Sequence, residues 1–254
     1  MLDALAVRFV ESGWDMKGLV KAILMSDTYQ QRSVSDATNM ADDPENELLA
    51  RGPRFRLPAE MIRDNALSIA GLLQLKMGGA PVNPYEMSES FKPTKWSDGE
   101  GVNRRSLYTN WRRTGPPPAM ITFDAPRRAV CAAKRERTDS PLQALVLLNG
   151  VQYVEAARAF AEMLIAKHAD DTDAMIRSVF QRCLSRVPDE TELTIAKNLL
   201  NEQIQFFQKD PEATKEFLKV GSRPLAESIP IATLAGTTAL CQALMNHDAC
   251  VVKR

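Results

Sequence analysis

The chain has 254 residues, 44% apolar and 25% charged, a globular balance that excludes wholesale disorder. Its 32 basic and 32 acidic residues cancel, so no global charge draws it to nucleic acid or to an anionic membrane. No stretch approaches the roughly 20 apolar residues of a spanning helix, and four scattered cysteines without a C-x-x-C pair exclude a haem-attachment motif and a zinc site of that type.

The start, MLDALAVRFVESGWDMKG, lacks the basic, apolar, small order of a signal peptide and predicts an amphipathic helix with Leu2, Leu5 and Phe9 on one face. Asp15 is placed to cap a second helix carrying Leu19, Ala22 and Ile23. Residues 32–46 are polar, punctuated by Asp42-Asp43-Pro44, and read as an exposed loop. Pro58 suits the first turn of a helix with Ile62, Ala66, Ile69 and Leu73 at helical spacing, which Gly78-Gly79 should stop.

Residues 80–125 hold six prolines and no sustained periodicity, so a long irregular segment is expected, with SLYTNW as one short strand or helical turn. Ser140 and Pro141 then open a helix, LQALVLL, that is apolar nearly all round and is expected at the centre of the core. Asn149-Gly150 ends it. Later helices are marked by Val154, Ala157, Ala161 and Leu164, by Ile176, Val179 and Phe180, and by Leu193, Ala196, Leu200 and Ile204. A short one begins at Pro211, and the last, from about Pro230, carries Leu234, Thr238, Cys241 and Met245. No β-alternation of useful length occurs. The expected class is all-α, about eight helices in one domain over 1–254, with 80–125 as an irregular Pro-rich segment within it.

The cancelled charge hides a gradient. From Arg104 to Arg137 nine Lys or Arg face only Asp124 and Glu136, while Glu155 to Glu216 is acidic by four charges. Glu60, Arg63 and Asp64 share one helix face by their spacing, with Arg54 and Arg56 just upstream. The remaining cations of interest are Arg104, Arg105, Arg112, Arg113, Arg135 and Arg137. Arg pairs bidentately with carboxylates and stays charged when partly buried. The plain expectation is that these Arg tie the Pro-rich segment to the helices through Glu60, Asp64, Asp124 and Glu136. The sharper one is a surface for uronate, sulfate or phosphate groups, because the cations outnumber the local acids. Glu60 and Asp124 are then the acid/base candidates for cleaving an anionic polysaccharide.

Tyr108, Trp111 and Phe123 lie among these Arg and could stack on sugars or bases, but neutral total charge and the lack of a binding motif argue against nucleic acid. His168 and His247 have no second ligand at helical spacing, so no metal site is predicted; His168 with Asp170 and Asp171 reads as a solvated helix end. Cys131 sits among Arg127, Arg128 and Lys134, which would favour its thiolate, yet no His is near in sequence to act as base. Scattered free thiols are expected, with one or two disulfides open in an oxidising compartment. No G-x-S-x-G, phosphate-cradling Gly loop or dinucleotide fingerprint occurs, and no cofactor is expected in this chain.

Three ordered stretches, RGPRFRLPAEMIRDNALSIAGLL, RRSLYTNWRRTGPPPAMITFDAP and RTDSPLQALVLLNGVQYVEAARAFAE, resemble the planctomycete domain of unknown function that follows cytochrome-c-like modules in large exported proteins. RCLSRVPDETEL and ALCQALMNHDA are similar to its closing helices, so the resemblance covers nearly the whole chain. One departure is that Ala249 and Cys250 follow Asp248, where that family tends to place a carboxylate and an aromatic. The resemblance implies a periplasmic or extracellular setting and an N-terminally truncated piece of a larger parent. It also implies haem c in neighbouring modules and those domains as partners. The first functional expectation is a non-catalytic helical scaffold or interaction module. The second is a module that binds or degrades anionic polysaccharide.

Overall fold

The computed structural model describes residues 1–34, 37–85, 88–89, 92–93, 96–97, 99–112, 115–128, 130–168, 171–226 and 228–253. Among them are 13 α-helices and only two-residue strands, which makes the class all-α as the periodicity predicts. Contacts divide the chain into two compact units, Met1–Phe55 with Val252–Arg254, and Arg56–Val251.

The first unit holds α1 (Leu2–Glu11), α2 (Met16–Leu24), α3 (Asp27–Gln30) and α4 (Ala37–Asp42). The Asp15 carboxylate accepts from the Gly18 amide at 3.0 Å and caps α2, as its position predicts. Ser26 does the same for α3 through the Tyr29 amide at 3.2 Å. The chain turns between α1 and α2 at Gly13 and Trp14, both with positive φ, and the Trp14 ring meets Phe9 edge-on at 5.3 Å. No residue of α1 or α2 is buried. The stretch expected to be a loop at 32–46 contains α4, which ends at Asp42 just before Asp43-Pro44.

In the second unit α5 (Ala59–Ile69) starts at Pro58 as expected but stops well before Gly78. Gly71 adopts φ +70°, and the Leu72 amide bonds back to the Leu67 carbonyl at 2.8 Å while Gly71 bonds to Ser68 at 3.1 Å. That reciprocal pattern satisfies the last carbonyls and turns the chain away, so Leu73 lies beyond the helix. The irregular segment contains a two-strand hairpin (Ser88–Glu89 with Lys92–Pro93), 3-10 turns at Gly99–Asn103 and Ser106–Tyr108, and α6 (Pro118–Thr122). SLYTNW is therefore a helical turn.

Next come α7 (Pro141–Asn149), α8 (Val151–His168), α9 (Thr172–Leu184), α10 (Glu190–Gln208), α11 (Pro211–Leu218), α12 (Ile231–Met245) and α13 (Asp248–Val251). Asp171 and Asp210 cap α9 and α11, and Asp189 with Glu192 forms a reciprocal capping box on α10. The core is built on α8 and α12, with α12 also packed along α10. Phe160, Leu164, Ile176, Val179, Leu234 and Leu240 are almost wholly removed from water, each worth about 1.5–3 kcal/mol of burial. Gly236 allows α12 to approach α10: a Cβ there would sit 2.5 Å from Ile204 Cγ1 and 2.9 Å from its backbone nitrogen.

The expectation that LQALVLL is the buried centre is corrected. On α7 only Gln143 and Leu147 are buried, while Leu142, Leu145 and Leu148 are exposed. An apolar helix without a polar face does not reveal which side is covered, and α7 packs chiefly on α6, α8 and α12.

Candidate functional site

Arg63 organises the Arg-rich centre. It projects from α5 and is 4% exposed. Nη1 donates to the Arg104 carbonyl at 2.9 Å and to Ser106 Oγ at 3.2 Å; Nη2 donates to the Val102 carbonyl and to Gln152 Oε1 at 2.9 Å. One guanidinium thus joins α5, α8 and the 102–106 turns. Burial pushes its pKa below the ordinary Arg value, although the Asp64 carboxylate at 3.7 Å works in the opposite direction. Arg104 does similar work nearby. Nη1 donates to the Ala80 carbonyl at 3.0 Å and Nη2 to those of Lys76 and Gly78, and its guanidinium lies 3.9 Å over the Tyr108 ring. Both Arg hold the segment chiefly through backbone carbonyls rather than through the predicted carboxylates.

The four carboxylates have separate fates. Asp64 accepts from the Ser106 amide at 2.7 Å and hydroxyl at 2.6 Å. Glu60 pairs with Arg135 at 2.9 Å. Asp124, at φ +61°, accepts from the Thr138 amide at 2.6 Å and hydroxyl at 2.8 Å, so a hydroxyl residue rather than an Arg is its partner. Glu136 is exposed. Arg56 finds Asp139, 2.9 Å away, a carboxylate that sequence reasoning did not include. Arg56, Asp124, Arg135, Glu136 and Arg137 do converge, lining one hollow with Pro58, Ile62 and Phe123. Its volume is about 10 Å³, room for one water and far below a saccharide.

The other candidates are dispersed. Arg54 lies in the first unit and lines a cavity of about 510 Å³ with Glu45 and Arg51. Arg105 is exposed; its carbonyl accepts from the Tyr108 amide at 2.9 Å, and its guanidinium makes no hydrogen bond or ion pair among the described residues. Arg112 is half-buried and, like Arg137, has interaction partners. Arg113 and Asp170 lie outside the described residues. Trp111 donates its indole N–H to the Arg127 carbonyl at 3.2 Å, with the Arg128 guanidinium 4.6 Å from its ring. His168 Nε2 meets Ser178 Oγ at 2.8 Å, and His247 Nδ1 accepts from the Ala249 amide at 3.0 Å. Among the described residues no group of three His, Cys, Asp or Glu could hold a metal ion, and no helix is long and apolar enough to cross a membrane. Cys131 is an exposed free thiol; Cys183, Cys241 and Cys250 are buried free thiols.

Sequence reasoning missed a second polar cluster. Glu155 and Arg158 of α8 are each 1% exposed, and Glu162 is 8% exposed. Glu155 Oε1 accepts from the Ser222 and Arg223 amides, both at 2.8 Å, and Oε2 accepts from the Tyr85 hydroxyl at 2.9 Å. Arg158 Nη2 donates to the Arg223 carbonyl at 2.7 Å, and Arg223 in turn donates to Glu162 Oε2 at 3.1 and 3.0 Å. Burial raises the Tyr85 pKa and lowers that of Arg158. Gly221, at φ +99°, makes room: a Cβ there would lie 2.4 Å from Glu155 Oε1. The legible signal is in VEAARAFAE, where three charges fall on a helix whose intervening residues are all small or apolar.

Chemically, both clusters fix loops onto helices; neither presents paired carboxylates to an open groove. A family model described as PSD1, a protein of unknown function (DUF1553), matches residues 1–200. No curated protein and no solved structure matches the chain.

Proposed function

The chain belongs to the DUF1553 family, and we propose that it is a non-catalytic helical scaffold whose Arg-rich centre holds a Pro-rich segment in one shape for a neighbouring domain. The observation that carries this reading is the hollow where five candidate residues meet. It has the volume of one water, Asp124 in its wall is held by Thr138, and the carboxylates Glu60 and Asp64 likewise already have internal partners. A glycosidase needs two carboxyl groups flanking a bound sugar, roughly 5–9 Å apart, with space between them. The proposal extends to the setting: an exported, planctomycete-type parent with haem c in adjacent modules, on the strength of the three ordered motifs.

A second reading, recognition of anionic glycan, is favoured by the exposed Arg105 and by Arg128 stacked on Trp111. Calorimetric titration with heparin and with polygalacturonate separates the two. The scaffold reading expects no saturable heat at about 0.15 M salt, where weak surface attraction is screened. Saturable binding that is removed by Arg105→Ala or Arg128→Ala overturns it in favour of the glycan reading.

A further inference from the structure

The hairpin of α1 and α2 in the first unit leaves its apolar residues open to water. Leu5, Phe9, Leu19 and Ala22 face one another across a cavity of about 210 Å³. That lining fixes which sides of the two helices point inward, and the helical step then sets the rest. Leu2 of α1 and Met16, Val20 and Ile23 of α2 come to one face of the hairpin, with Val10 and Leu24 at its edges, each at least 41% exposed. With Trp14 at the turn, 65% exposed, they offer on the order of 800 Å² of apolar surface. The largest apolar patch of an ordinary monomer is about 300–600 Å², whereas one side of a standard protein interface is about 800 Å².

The charges say what covers this face. Residues 2–24 carry Asp3, Glu11 and Asp15 against Arg8, Lys17 and Lys21, so the hairpin is neutral and nothing draws it to an anionic membrane. Arg8 and Asp15 lie on the cavity side. Helical spacing turns Asp3 and Glu11 toward the outer flank of α1, and Lys17 and Lys21 toward the outer flank of α2. One flank is acidic and the other basic. Two hairpins stacked face to face, about a twofold axis parallel to the helices, set each α1 antiparallel to α2 of the other copy. Each acidic flank then lies beside a basic one, as the self-complementary contact of a twofold dimer requires.

We propose that α1 and α2 are the dimerisation element of this chain, two copies closing their hairpins into an antiparallel four-helix bundle. This inference is independent of the scaffold reading. The second copy covers Val20 and Ile23 and seats its own apolar side chains over the cavity between the helices. It thereby supplies the buried positions that neither α1 nor α2 has alone.

Sedimentation equilibrium of the full chain over a concentration series is the test. The expected species has twice the 28.2 kDa chain mass, in reversible exchange with monomer. Val20→Glu with Ile23→Glu places four carboxylates in the contact and weakens association at least about 100-fold. The far-UV circular dichroism spectrum stays unchanged, because neither residue is buried in the monomer. Lys17→Glu with Lys21→Glu sets acid against acid and weakens association about tenfold, and adding Asp3→Lys with Glu11→Lys restores it. A chain that stays monomeric at about 100 µM overturns the proposal. So does a dimer that survives Val20→Glu with Ile23→Glu, open-ended aggregation in place of a discrete dimer, or a charge reversal that its complement fails to restore.

Discussion

Replacing Arg63 with Met removes the guanidinium while keeping most of its volume, and it isolates the contribution of the central clamp. The substitution leaves four acceptors without their donor: the carbonyls of Val102 and Arg104, Ser106 Oγ and Gln152 Oε1. A buried acceptor left unsatisfied costs about 1–3 kcal/mol, but water can reach the half-buried Arg104 carbonyl and Ser106 keeps its hydrogen bond to Asp64. Burial also penalises the guanidinium itself, as its lowered pKa records, and that relief offsets part of the loss. The net destabilisation expected is about 4 kcal/mol, a large share of a typical stability of roughly 5–15 kcal/mol. Urea titration measures it, with far-UV circular dichroism reporting the helices and tryptophan fluorescence reporting Trp96 and Trp111 in the irregular segment together with Trp14 in the first unit. Both midpoints should fall together, and Arg63→Lys, which can reach only some of the acceptors, should fall between. A loss below about 1 kcal/mol for Arg63→Met would refute the reasoning, because it would mean the segment keeps its shape without the clamp.

The second polar cluster predicts that Gly221→Ala costs about 3 kcal/mol, through both the positive φ and the collision with Glu155, and that limited proteolysis then cuts within 219–226. Glu192, bonded to Arg186 at 2.6 and 2.5 Å, has its pKa pulled from 4.5 to about 2 by that hydrogen bond. A depressed folded-state pKa means its stabilisation is complete above pH 4.5 and fades as pH falls toward 2. Because the pair is solvent-screened the effect is under about 1 kcal/mol, and Glu192→Gln should flatten the acid limb of a stability–pH curve in that window. On α7, Leu147→Ala should cost about 3 kcal/mol while Leu145→Ala stays within about 0.5 kcal/mol, since the first is 5% and the second 53% exposed; thermal melts of the two variants decide it.

The helices were legible because their signals are local. Asp15, Pro58, Asp171 and Asp189 sit where capping chemistry requires them, and the apolar spacing of α8, α9 and α10 matches what is buried. The end of α5 was misread because Gly78-Gly79 is a conspicuous stop, whereas a single Gly71 with a carbonyl in the right place suffices. The site was legible as composition but not as pairing. Arg63 and Arg104 chose backbone carbonyls, which every residue has and no sequence pattern marks. Asp124 chose Thr138, 14 residues on, and Arg56 chose Asp139. Glu155 escaped notice because its partners, Tyr85 and Ser222, are 70 and 67 residues away in opposite directions.

Those separations have a kinetic meaning. The Tyr85, Glu155 and Ser222 tie closes two long loops at once, and such non-local contacts follow, rather than guide, the assembly of local helices. Tyr85 and the turn at 221–224 are therefore expected to reach their final places after α8 itself has formed. Interactions absent from the folding transition state leave the folding rate alone and slow unfolding instead. The buried carboxylate of Glu155 is in this sense expected to act as a brake on the way out of the native state.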